Sequence, residues 1–462
     1  MSDIDMPHWK RNVALFLTGQ TVSLLGSMLV MFAVMWHLTI ETRSGSVLMM
    51  SIVFGMLPQA FMSIFGGVWA DRHSRKLLIM GADTTIAVVT LGLALLMLSG
   101  VDDLWVIYLA LAVRSVFAGI QTPAVGAMIP QITPADQLMR VNGMFQSIQS
   151  GMMLLAPALA AVVYASFDIV AVFFVDAATA LIGVGMLAMV TVPRLVRSDA
   201  QDGPVSYFGD LVAGVRYIGS NAPVKWLVAL FALVMFLVGA PSYLTPLMVT
   251  RTFGDEVWKL TANELFWGGG MLLGGLLMAS FGPRIKRRVR LMVGSVLLTG
   301  VLVAGLGVST NMWVFFSLGL LIGIMFSALN TPAFTIIQER VEPEMQGRVF
   351  GFVGIVMTVA MPLSMVVFGP LADRYSVQSL LVLAGLLLVV VLAAILALPA
   401  ARRSLAQVDT APEPDGETAG EAAEPTATGT DGGAAGGPIG DTVAETVGEP
   451  VDAAAAPGSD SR

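Results

Sequence analysis

The chain has 462 residues, of which 56% are hydrophobic and only 12% charged, with a mean hydropathy of +0.80. Soluble domains carry about 25% charged residues, so a soluble globular protein is excluded and a membrane protein is indicated. The lack of cysteine removes a disulfide framework, a thiolate nucleophile and a cysteine metal site; three scattered histidines, His8, His37 and His73, assemble no metal site.

The net charge of −7 is unevenly spread. Residues 404–462 hold twelve acids and one base, a charge of −11, and no aromatic. Rich in Ala, Gly, Pro, Thr and Glu, this segment cannot bury enough apolar surface to order itself, so a disordered acidic tail is expected. The other residues carry a net charge of +4, and nothing in the pattern calls for nucleic acid.

In chain order, "MSDIDMPHWKRN" is followed by an apolar run too long for a leader's h-region and without a small-x-small cleavage site, so it reads as the start of a retained span. Runs long enough to cross a bilayer fall at 12–38, 46–70, 77–99, 104–128, 143–166, 169–192, 224–249, 263–281, 289–308, 312–337, 347–371 and 377–399. None shows the period-two alternation of a barrel. The fold class expected is an all-α polytopic membrane protein, twelve transmembrane helices in two pseudo-symmetric six-helix halves. Its parts are residues 1–192, a linker 193–223, residues 224–403 and the tail 404–462. Within the linker, "YFGDLVAGVRYIGS" sets Phe208, Leu211, Val212, Val215 and Ile218 on one helical face, as an amphipathic helix on the membrane surface would.

Lys and Arg fix the orientation. With a cytoplasmic N-terminus, nineteen of them flank inner span ends and four flank outer ones. Both termini are therefore expected in the cytoplasm, in the cell membrane.

Two internal matches follow. "QTPAVGAMIPQITPADQLMRVNG" after span 4 aligns with "NTPAFTIIQERVEPEMQGRVFG" after span 10, pairing Thr122, Pro123, Ala124 and Pro134 with Thr331, Pro332, Ala333 and Pro343. This is the mark of a duplicated half, and duplicated halves place a substrate site near the midplane between them. "GGVWADRHS" and "VFGPLADRYS" share G-x-x-A-D-R-x-S, as Gly67, Ala70, Asp71, Arg72, Ser74 and Gly369, Ala372, Asp373, Arg374, Ser376. The first follows an even span and carries Arg75 and Lys76; the second follows span 11 and has no base after Arg374. The counterpart of the first copy in the duplicated half is "ASFGPRIKRR", so Asp373 and Arg374 are expected merely to end a helix at the outer surface. Mutation of Asp71 is expected to matter far more than mutation of Asp373.

The G-x-x-x-D-R-x-x-R-K pattern between spans 2 and 3 resembles the signature loop of the major facilitator superfamily. With "GQTVSLLGSMLVMFAVMW", "FGDLVAGVRYI" and "IPQITPADQLMRVNG", the chain over residues 10–400 is most similar to the twelve-span drug:proton antiporter branch containing macrolide-efflux and enterobactin-exporter proteins. The resemblance implies that Gly67, Asp71, Arg72, Arg75 and Lys76 form an inner gate latching the halves in the outward-facing state. It also implies that Arg114 in span 4 takes part in proton coupling. The chain departs from the family's span 5 motif: Pro157 stays, while Ala156, Ala160 and Ala161 stand in place of glycines. In span 4, Arg114 is followed by "SVFAG" without the family's Gln.

Charges inside a bilayer cost about 2.5–3.5 kcal/mol on insertion scales and mark function. Asp83 and Asp176, each about two turns into a span, and Glu264, at the opening of span 8, are the carboxyls able to exchange protons with or beside Arg114. Met28, Met31 and Met35, near Gln20 and Phe32, form a flexible stripe suited to a pocket that accepts several shapes. Gly270 and Gly274, like Pro157, read as helix-packing positions. No Walker-type phosphate loop is present. The expectation is a monomeric secondary exporter of amphipathic small molecules, not an enzyme, using lipid as solvent, protons as coupling ions and no cofactor. Siderophore or metabolite export, proton-coupled uptake, and a membrane sensor or scaffold signalling through the acidic tail are the alternatives.

Overall fold

A computed structural model describes residues 8–192, 207–285, 287–399 and 403. Residues 1–7, 193–206 of the linker, Lys286, 400–402 and the tail lie outside the described residues. Thirteen α-helices run in chain order: α1 (Trp9–Thr42), α2 (Gly45–Arg72), α3 (Arg75–Leu98), α4 (Leu104–Ile132), α5 (Leu138–Phe167), α6 (Ile169–Ala188), α7 (Tyr207–Ser220), α8 (Ala222–Thr252), α9 (Val257–Phe281), α10 (Arg288–Val308), α11 (Met312–Arg340), α12 (Pro343–Arg374) and α13 (Val377–Ala397). All but α7 are long and apolar enough to span a membrane, and no strand occurs among the described residues. This is a multi-pass all-α membrane protein.

The helices start where short polar side chains can take up their free N–H groups. Ser44 caps α2 and Ser74 caps α3; Asn221, Asn311 and Ser376 cap α8, α11 and α13. The shared A-D-R-x-S skeleton thereby acquires one common job. In each copy the Arg is the last residue of a helix and the Ser, two residues on, caps the next.

Span 8 departs from its expected limits. α9 opens at Val257 rather than 263, because Glu256 and the turn before it stop the helix while Lys259 and Asn263 depress its hydropathy. Glu264 therefore lies two turns inside the helix, about 10 Å along it at 1.5 Å per residue, and does not open it.

The two sets of six helices repeat a packing pattern. α2 lies on α4 as α9 lies on α11, and α3 lies on α6 as α10 lies on α13. Glycine permits these close approaches: a Cβ on Gly274 would stand 2.8 Å from Ile324 Cα of α11, and one on Gly270 would stand 3.0 Å from Leu320 Cα. Both glycines are packing positions, as is the buried Pro157 of α5 beside the fully buried Ala156 and Ala160.

The face bearing the start of α1 and the end of α13 is called the basic face below, and the opposite one the far face. One continuous apolar core occupies the far half of the bundle and joins both sets of helices, from Leu29, Phe32 and Trp36 to Phe315, Met365 and Leu381. Towards the basic face it divides in two. One core holds only first-half residues, such as Phe16, Ile79 and Met128; the other holds only second-half residues, such as Phe231, Met292 and Ile336. The halves are fused at the far face and separately packed at the basic face.

α7 lies against α12 and α8. Its Ile218 is buried while Val212 and Val215 stay exposed, which fits a helix at a membrane surface with part of its apolar face left for lipid.

Candidate functional site

Charged and polar side chains buried among α1, α3, α4 and α6 form two levels. At the upper level Arg114 Nη1 donates to Asp176 Oδ2 at 2.5 Å and also to Thr90 Oγ1. Ser27 Oγ reaches Asp176 Oδ1 at 3.5 Å. The Asp176 side chain is 0% exposed and that of Arg114 11%. At the lower level Asp83 Oδ1 accepts from Ser23 Oγ at 3.0 Å and from Gln121 Nε2 at 2.6 Å. Asp83 Oδ2 and the neighbouring Gln20 Nε2 are buried without a hydrogen-bond partner among the described residues.

The levels follow from helical spacing. Asp83 and Thr90 stand seven residues apart on α3, Arg114 and Gln121 seven apart on α4, and Gln20, Ser23 and Ser27 at matching intervals on α1. Seven residues are nearly two turns, so each helix sets its polar groups above one another on one stripe. α1 is drawn close to α6 where a Cβ on Gly19 would stand 3.1 Å from Gly183 O.

The two carboxyls differ in what balances them. Asp176 has a guanidinium; Asp83 has a hydroxyl and an amide and, among the described residues, no paired cation. A buried charge left uncompensated is far costlier than a buried pair, so of the two it is Asp83 that gains most from becoming neutral. Three of the four expected coupling residues, Arg114, Asp83 and Asp176, thus come together. Glu264 lies in the other half, bonded to Asn263 Nδ2 at 3.2 Å.

At the far face Asp373, in the last turn of α12, accepts from Gly45 N at 2.6 Å, Ser46 N at 2.9 Å and Ser44 Oγ at 3.1 Å. A second-half carboxylate thereby caps the first-half helix α2. Arg251 of α8 donates to Ala372 O at 2.7 Å and to Arg43 O, and Arg43 pairs with Asp255 at 2.7 Å. Gly369 admits the approach: a Cβ there would stand 2.8 Å from Gly45 O. Asp373 therefore does more than end a helix.

Comparison with known proteins now bears on the chain. Residues 16–365, and again 257–428, match the model of the Major Facilitator Superfamily. The chain belongs to the Major Facilitator Superfamily. It is similar to macrolide efflux protein A of Streptococcus pyogenes, 30% identical over 387 residues, covering 83% of this chain and 94% of that protein. Multidrug efflux pump Tap of Mycobacterium bovis (strain BCG / Pasteur 1173P2) is 24% identical over 386 residues, covering 81% and 89%. Among solved structures, a bacterial homolog of the human lysosomal transporter Spinster, inward-facing and unoccupied, aligns over 88% of this chain and 99% of that one, with a TM-score of 0.67 at 14% identity. A bacterial homologue of the iron transporter ferroportin, also inward-facing, gives 0.64 at 17% identity over 83% and 98%.

A Major Facilitator Superfamily chain is a transporter rather than an enzyme, and the residues expected to form its inner gate lie at the junction of α2 and α3. Arg75 donates to Ala70 O at 3.2 Å and Ala127 O at 2.8 Å, and Lys76 to Ala188 O and Val190 O. These bonds tie the start of α3 to α4 and α6 of its own half. Arg72 is exposed and Gly67 half-buried; Asp71 is in the last turn of α2, and its side chain lies outside what the structure describes. Of the methionine stripe, Met28 and Met35 are half-buried against the far-face core, while Met31 is 54% exposed. Phe32 is buried beside Trp36 at 5.8 Å, so in this conformation it supports the site rather than lining an opening. Thr90, Ser27 and Gln121 do not stand out in the sequence, nor does Ser23; the seven-residue spacing of the first three from Asp83, Gln20 and Arg114, and the three-residue spacing of Ser23 from Gln20, is the signal that could have found them.

Proposed function

We propose that this transporter exports amphipathic small molecules, macrolide-like drugs among them, in exchange for protons entering the cell, from the cell membrane and with both termini in the cytoplasm. The buried network carries the reading: an Arg114–Asp176 pair set above an Asp83 that has donors but, among the described residues, no paired cation. The printed names of the macrolide and multidrug efflux relatives support the substrate class.

In this reading the conformation seen, split at the basic face and fused at the far face, is the inward-open one. Asp83 gives up its proton to the cytoplasm in this state and takes one from outside after the halves rock. As an anion it accepts from both Ser23 and Gln121 and ties α1, α3 and α4 together. Protonation at the unpartnered Oδ2 makes that oxygen a donor and removes the buried charge that the two donors at Oδ1 otherwise hold. The Arg114–Asp176 pair fixes the upper level while this happens. The proton gradient is the energy source, and the chain acts as a monomer without a cofactor.

The test is reconstitution in liposomes with an imposed pH gradient. A macrolide and a lipophilic cation should move against their gradients only while the pH gradient lasts, and Arg114→Ala should abolish that movement. Equal transport without a gradient, or by the variant, would reject proton coupling.

A further inference from the structure

Glu264 is a carboxyl about two turns below the far face that the proton network does not use. Its one hydrogen bond among the described residues is from Asn263 Nδ2, whose nitrogen also donates to Thr245 Oγ1 of α8 at 3.3 Å. The basic groups paired near that face are engaged elsewhere: Arg43 with Asp255, Lys259 with Glu256, Arg251 with Asp373. A membrane-depth carboxyl with no protein cation is balanced by a proton or by a cation that comes and goes.

The surroundings favour the second. Tyr243 of α8 stands two residues before Thr245, which accepts from Asn263 beside Glu264, and its hydroxyl donates to Met56 Sδ of α2 at 3.3 Å, across the boundary between the halves. Trp267 stands one turn further along α9 on the same side, 6.2 Å from Phe326. Tyr243, Met56, Trp267, Met28 and Met35 are all half-buried against the underside of the far-face core. They border the core shared by both halves, and Trp267 packs against the second-half core as well. Aromatic faces and polarizable thioethers beside one carboxylate suit a charged head on a greasy body.

We propose that Glu264, with the Tyr243 and Trp267 rings, anchors the positive charge of an amphipathic substrate, leaving proton binding to Asp83 in the other half. The assignment rests on the exporter reading and names the chemistry of its ligand: a lipophilic monocation rather than a neutral or anionic amphiphile. It also removes Glu264 from the proton-coupling set.

Binding separates the two ideas, since it needs no gradient. The full-length protein in detergent micelles is titrated with tetraphenylphosphonium and with triphenylphosphine oxide, a neutral compound of similar shape. Wild type should prefer the cation; Glu264→Gln should lower that preference at least tenfold, and Glu264→Asp should keep most of it. An unchanged ratio, or an equal loss of both ligands by a folded variant, overturns the anchor. Should Glu264→Gln fail to fold, Trp267→Leu decides the matter: a reduced cation preference supports the site and an unchanged ratio rejects it. Failure of wild-type gradient-driven transport in liposomes would reject the exporter reading separately, with the binding ratio still deciding Glu264.

Discussion

At the scale of single residues, the buried network makes opposite demands on its two acids. Removing the guanidinium by Arg114→Ala leaves Asp176 charged, wholly buried and unpaired, a loss of about 3–5 kcal/mol for a broken buried pair. Replacing both members by Leu removes the uncompensated charge. The expected outcome is that Arg114→Ala lowers the thermal midpoint in detergent, the double variant R114L/D176L recovers most of it, and neither transports uphill. Recovery of transport by the double variant would make the pair structural only. Asp83→Asn is the complementary case, because an amide keeps the shape and cannot exchange a proton. It should fold normally and still exchange labelled substrate for unlabelled, yet lose gradient-driven accumulation, as substrate counterflow and pH-jump assays on the same vesicles would reveal.

At the scale of elements, the far-face junction between α12 and α2 holds the two halves. Asp373 satisfies two of the free N–H groups at the start of α2 and sits at the positive end of that helix. A helix cap is worth about 1 kcal/mol, which changes a two-state ratio roughly five-fold. Asp373→Ala should therefore shift the population towards a state opened at the far face. The cysteine-free chain makes this measurable with spin labels at W105C and W313C, exposed first-turn positions of α4 and α11. The distance distribution should gain a longer component in the variant, and an unaltered distribution would reduce Asp373 to a local cap.

The same junction marks where sequence stops being legible. The helices themselves can be read, since each is a long apolar run, and the A-D-R-x-S ends can be read as helix punctuation. Which helix Asp373 caps cannot, for its partners lie 327 and more residues away. The start of α9 is hidden for a related reason: Lys259, Asn263 and Glu264 look like a loop until Lys259 finds Phe253 O and Glu256 in the turn before the helix and Asn263 finds Thr245 of α8. Arg114, Asp83 and Asp176 are visible because charge in an apolar run stands out, whereas Ser and Thr partners do not.

At the scale of the whole molecule, an even number of spans puts the start of α1 and the end of α13 on one face, and the proposed orientation, drawn from the distribution of Lys and Arg, makes that face the cytoplasmic one. A single cysteine at exposed His73 should react with an impermeant maleimide only after cells are opened, and one at exposed Ser99 should react in intact cells; the reverse pattern would invert the topology. The acidic segment 404–462 follows α13 in sequence. Its removal changes the net charge from −7 to +4, yet takes away no residue of the buried network, the far-face junction or the Glu264 site. If the chain acts as a transporter through its helices alone, the truncated protein should keep the wild-type rate of gradient-driven transport in liposomes. A scaffold signalling through the tail would behave otherwise, losing its output on truncation while the helical bundle unfolded at the same temperature as before. Measuring transport and thermal unfolding on the same truncated preparation distinguishes the two, because only a tail that contributes to the transport cycle can lower the rate without lowering the stability.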